Sequence, residues 1–77
     1  MTQRKMTMVY DSELGRWVAE GMDEWYSLRC GESIRLHIGS QKLEGRLELG
    51  KGGYIVIDNV AIGLIEEHQY TVTTEVP

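Results

Sequence analysis

In Ser33-Ile34-Arg35-Leu36-His37-Ile38-Gly39-Ser40-Gln41-Lys42-Leu43-Glu44-Gly45, polar and apolar residues alternate strictly from Ser33 to Ile38, and a Gly-Ser pair follows. Strict alternation marks strands with one buried face, and a two-residue link with glycine first suits a type II′ hairpin turn. That turn sets a register in which Leu36 faces Leu43, Arg35 faces Glu44 and Ile34 lies opposite Gly45. Apolar meets apolar and cation meets anion, and such cross-strand pairs contribute about 0.2–1 kcal/mol each. A slip of one residue would turn every one of these side chains to the wrong face.

Downstream, Gly50-Lys51-Gly52-Gly53 separates Leu49 from Tyr54. A two-residue loop at Lys51-Gly52 puts Leu49 opposite Tyr54 and Leu47 opposite Val56. The strand Tyr54-Ile55-Val56-Ile57 is then apolar on both faces, whereas a thin antiparallel sheet ordinarily buries one. Ile55 and Ile57 are therefore the candidates for self-association.

Upstream, Met6, Met8 and Tyr10 alternate onto one face, and Asp11-Ser12-Glu13-Leu14-Gly15 reads as a turn into a second strand at Arg16-Trp17-Val18-Ala19. Residues 20–32 are irregular and read as a loop or short helix. Beyond Asp58-Asn59 come Val60 to Ile65 and a last alternating run from Gln69 to Val76. Nine glycines break the chain into these short runs, with no solenoid repeat or linker between them. The expected fold is mainly β, a small SH3-like or OB-like antiparallel barrel of five or six short strands. Residues 1–77 form one domain on this reading, with residues 1–5 flexible.

Size and charge narrow the functional classes. Seventy-seven residues support one thin core, since area scaling leaves about 4,800 Å² exposed after folding. Eight basic against twelve acidic residues give a formal charge of −4 and a pI near 5.0, which disfavours nucleic acid as a partner. The apolar runs are much shorter than the roughly 20 residues of a membrane span, and Met1-Thr2-Gln3-Arg4-Lys5 has no apolar signal region behind it. The expectation is a cytoplasmic protein that uses no membrane. Cys30 is the single cysteine, so an internal disulfide and a multi-cysteine zinc site are excluded.

Several short arrangements resemble those of a small uncharacterised bacterial domain family found largely in mobile-element and phage gene neighbourhoods. They are Val9-Tyr10-Asp11 with Gly15-Arg16-Trp17, Trp25-Tyr26 with Leu28-Arg29-Cys30-Gly31-Glu32, and Gly63-Leu64 before the final strand. The resemblance spans about Met8 to Val76. It implies a compact β domain in a phage or mobile-element setting, with no catalytic residues to carry over.

Candidate chemistry is sparse. His37 and His68 lack converging metal ligands, Cys30 lacks a base and an orienting group, and Asp23-Glu24 and Glu66-Glu67 read as solvated turns. No motif implies a cofactor, a metal or a catalytic residue. The six aromatics are all Trp or Tyr, types suited to half-buried interfaces. Trp17, Trp25, Tyr26 and Arg29 gather around the irregular segment and form the candidate binding surface. The leading expectation is a non-enzymatic protein that binds through protein–protein contacts, as a homo-oligomer and as a phage or mobile-element modulator of a host component. A nucleotide or small-ligand binder is the alternative, with aromatic faces stacking a base and Arg29 or Lys51 meeting phosphate. Single-stranded nucleic acid binding comes third.

Overall fold

The Asp11 carboxylate ends the first strand by accepting the Glu13 and Leu14 N–H groups at 2.9 and 3.0 Å. Gly15, at φ +68°, donates its N–H to the Asp11 carbonyl at 2.8 Å. This side-chain turn reverses the chain, and it pairs β1 (Thr2–Asp11) with β2 (Arg16–Glu20) so that Tyr10 faces Trp17 and Met8 faces Ala19. The computed structural model describes residues 2–50 and 52–76. Thr2 to Lys5 belong to β1 and pair with the far end of the chain, while Met1 lies outside the described residues.

The segment read as a loop or helix contains a short strand, β3 (Trp25–Ser27), paired with β2. β4 (Ser33–Ile38) and β5 (Gln41–Glu48) form the hairpin in the expected register: Ile34 faces Gly45, Arg35 faces Glu44 and Leu36 faces Leu43. Gly39 has φ +57°, as a type II′ turn requires of its first central residue. β6 (Tyr54–Ile57) pairs with β5 one residue away from the expected register, so Leu47 faces Ile55 and Glu48 faces Tyr54. The connection is therefore longer than two residues, and Lys51, expected at its centre, lies outside the described residues. β7 (Val60–Gly63) and β8 (Tyr70–Val76) complete the chain.

Among the described residues, eight antiparallel strands form one open sheet in the order β3-β2-β1-β8-β4-β5-β6-β7. The expected SH3-like or OB-like barrel of five or six strands is corrected in closure and in strand number. β3 is too short to show alternation in sequence, and β3 and β7 stand at opposite edges instead of pairing. β8 joins two meanders by inserting between β1 and β4.

One face of the sheet is the core. Met6, Met8, Trp17, Ala19, Ile34, Leu36, Leu47, Ile55 and Val72 are all buried there. The sheet curls around them, and two glycines permit the curl. A Cβ on Gly45 would stand 2.6 Å from Ile55 Cγ2 and 2.9 Å from the Val56 carbonyl oxygen, so β6 can fold across β5 only where no side chain intervenes. At the other end, Trp17 Nε1 donates to the Gly52 carbonyl at 3.2 Å, which fastens β2 to the β5–β6 turn. The radius of gyration is 11.5 Å and the accessible surface 5363 Å². That surface exceeds the roughly 4,800 Å² expected for the mass, as an incompletely closed sheet requires. Among the described residues no helix is long and apolar enough to cross a membrane.

Candidate functional site

The four residues expected to share a binding surface are divided by the strand pleat. Trp17 is 1% exposed and lies in the core, its ring edge-on to Tyr10 and Tyr70 with centroids 5.5 and 5.9 Å apart. Its register opposite Tyr10 turns it inward, so it is removed from the candidate surface. Trp25 and Tyr26 are neighbours on β3 and therefore point to opposite faces. Trp25 is 58% exposed. Tyr26 is half-buried and donates its hydroxyl to Glu24 Oε2 at 3.2 Å; burial, then that hydrogen bond, raise its pKa above the ordinary 10.0. Arg29 is exposed.

The self-association pair fares similarly. Ile55 is 0% exposed and packed inside the chain's own core, because the one-residue shift of β6 turns it inward opposite Leu47. It is unavailable to a second subunit. Ile57 is partly buried against the same core. Leu14 and Ile38 are exposed at the β1–β2 and β4–β5 turns, and the rest of the exposed large apolar residues lie at or near the two free edges of the sheet.

At one edge, Trp25 of β3 is exposed, and Met22, three residues before it in the chain, stands fully in solvent. At the other, all four residues of β7 are exposed, with Val60 at 59% and Ile62 at 42%, and Ile65 follows just beyond the strand. This second edge was not singled out in the sequence. Its signal was Val60-Ala61-Ile62-Gly63 after the turn formers Asp58-Asn59. Both turn residues have positive φ, 50° and 66°, the conformation of a type I′ hairpin.

The polar face of the sheet is largely self-satisfied. Arg35 donates to Glu44 at 2.7 Å, Arg46 to Glu48 at 2.6 Å, and Arg4 pairs with Glu24. Exposed pairs of this kind contribute about 0–1 kcal/mol each. Hydrogen bonds to Glu48 from Arg46 and then Cys30 hold its carboxyl below the usual range. The Cys30 thiol meets that carboxylate at 3.3 Å. His37 Nε2 lies 2.7 Å from Thr73 Oγ1. Partial burial of its ring, with Lys42, Lys5 and Arg35 nearby, lowers its pKa below the ordinary 6.5. Among the described residues no group of His, Cys, Asp or Glu is placed to hold a metal ion. A cleft of about 500 Å³ is lined by Glu32, Arg35, Glu44, Thr73 and Glu75 among others, and its guanidinium is already engaged by Glu44.

Fold and surface together define a small all-β domain, an open curled sheet with most of its exposed large apolar residues at or near its two edges. The chain belongs to DUF5348, a domain of unknown function, matched over residues 6–74. No curated protein and no solved structure matches it.

Proposed function

We propose that the domain is a non-enzymatic binding protein acting through protein–protein contacts in the cytoplasm, and that in a phage or mobile-element setting it modulates a host component. The observation supporting this reading is the exposure of Trp25 and Met22 beside β3 and of Val60 and Ile62 on β7. An exposed tryptophan and a bare apolar strand are the kinds of surface that partners cover. The nucleotide alternative loses support, since its aromatic platform is split between the core and two opposite faces. Affinity capture from a bacterial lysate tests the proposal. A protein retained by the native domain should be lost with Trp25→Ala or Ile62→Lys, and retention unaffected by both substitutions would refute it.

A further inference from the structure

Among the described residues β7 is paired with β6 alone, with Ile57 facing Val60 and Ile55 facing Ile62. In an antiparallel hairpin closed by a two-residue turn, the residues flanking the turn exchange both their hydrogen bonds, and every second pair thereafter does the same. Val60 and Ile62 therefore spend their backbone groups on β6. Leu64 continues the alternation, donating its N–H to the Gly53 carbonyl at 3.1 Å. Ala61 and Gly63 turn their N–H and C=O groups outward. The next outward donor, Ile65 N–H, is already taken by the Tyr70 hydroxyl at 2.9 Å. The free edge is thus short and defined: two residues' worth of backbone donors and acceptors, flanked by the exposed side chains of Val60 and Ile62.

Charge says what fits there. The basic and acidic residues up to Ile57 cancel, and from Asp58 onward the chain has no Lys or Arg. The whole net charge of −4 comes from Asp58, Glu66, Glu67 and Glu75; Asp58 lies in the turn before β7, and Glu66 and Glu67 lie in the turn that begins three residues after it. A second copy of this chain added antiparallel to β7 would bring the Asp58 end of each copy alongside the Glu66-Glu67 end of the other, a repulsion repeated across the two-fold axis. A basic strand meets the opposite situation.

We propose that β7 receives an extended, basic segment of a partner protein as an added strand, with Ala61 and Gly63 supplying the main-chain bonds. The apolar side chains of that segment cover Val60 and Ile62, while its Lys or Arg residues meet Asp58 at one end and Glu66 and Glu67 at the other. Backbone pairing gives such a contact its affinity, and the flanking charges give it selectivity. This inference rests on the protein-contact reading above and names the chemistry of the partner segment.

The test uses a capped seven-residue peptide of alternating valine and threonine with lysine at each end, titrated into isotopically labelled protein. A matched peptide with glutamate at each end is the control. The lysine peptide should shift the Ala61 and Gly63 amide resonances and bind at least about tenfold more tightly than the glutamate peptide. Ala61→Pro removes an outward N–H without touching the β6 ladder, a place where an edge strand tolerates proline, and should abolish the shifts. The double variant Glu66→Lys, Glu67→Lys keeps the backbone edge and should reverse the preference between peptides, which guards against loss of folding in Ala61→Pro. Equal affinity for both peptides, shifts confined to other residues, or no shift at millimolar peptide would overturn the inference. So would sedimentation showing self-association that Ala61→Pro abolishes, since the occupant would then be a second copy. Trp25-dependent capture that survives failure of the peptide would leave the broader reading standing, and loss of both would end both.

Discussion

Replacing Gly53 with alanine probes the contact that holds the curl of the sheet. Gly53 is buried at φ +90°, and a Cβ there would stand 2.5 Å from Trp17 Nε1 and 3.0 Å from its Cδ1. Three costs combine. The backbone conformation costs an L-residue about 1–2 kcal/mol, overpacking against the indole roughly 1–3 kcal/mol, and displacing the Trp17 N–H from the Gly52 carbonyl about 1–3 kcal/mol. A chain of this length has in all roughly 4–12 kcal/mol of stability, so Gly53→Ala should bring it close to unfolding. Gly52→Ala separates the causes: its φ is +86°, yet the nearest atom to an added Cβ is Glu66 Oε2 at 3.7 Å. Only the backbone cost applies there. Urea unfolding followed by tryptophan emission is the assay, with a slope of about 1 kcal/mol/M for a domain this small. Gly52→Ala should lower the midpoint by about 1–2 M, and Gly53→Ala by at least a further 2 M or so. Two variants with coincident midpoints would show that Trp17 does not pack on this turn.

Other substitutions test separate parts of the structure. Leu47→Ala empties a site with no solvent exposure opposite Ile55 and should cost about 2–5 kcal/mol by the same unfolding assay. For His37, the folded state holds the ring neutral while the unfolded chain takes up protons from about pH 6.5 downward, so stability should fall as pH drops below that point and level off below the folded pKa. His37→Gln should flatten that slope in urea midpoints measured between about pH 5 and 7.5. Acrylamide should quench the emission of the native protein through Trp25, and Trp25→Phe should leave a poorly quenched, blue-shifted emitter, Trp17.

The hairpin from Ser33 to Gly45 was legible in the sequence because its first strand carries phase information: polar and apolar residues alternate without a break from Ser33 to Ile38, and one glycine turn fixes the pairing of the second strand. Tyr54 to Ile57 carried none. All four residues are apolar, and the three glycines among residues 50–53 accept more than one loop length, so a shift of one residue left no local mark. That shift buried Ile55 and removed half of the expected self-association face. Trp17 and Trp25 look alike in composition, and the difference between them is the register of Trp17 opposite Tyr10. β3 is too brief to show a period, and the placement of β8 between β1 and β4 joins distant segments, which no local pattern encodes.

Amide hydrogen exchange of the isolated protein, resolved for each residue of β7, bears most directly on the claim that this edge is free for a partner. Val60, Ile62 and Leu64, bonded to β6 and to Gly53, should be protected, while Ala61 and Gly63 should exchange nearly as fast as unstructured amides at every protein concentration. Protection at Ala61 and Gly63 in the protein alone would mean that the edge is already covered, by closure of the sheet or by a second copy, and would contradict the account.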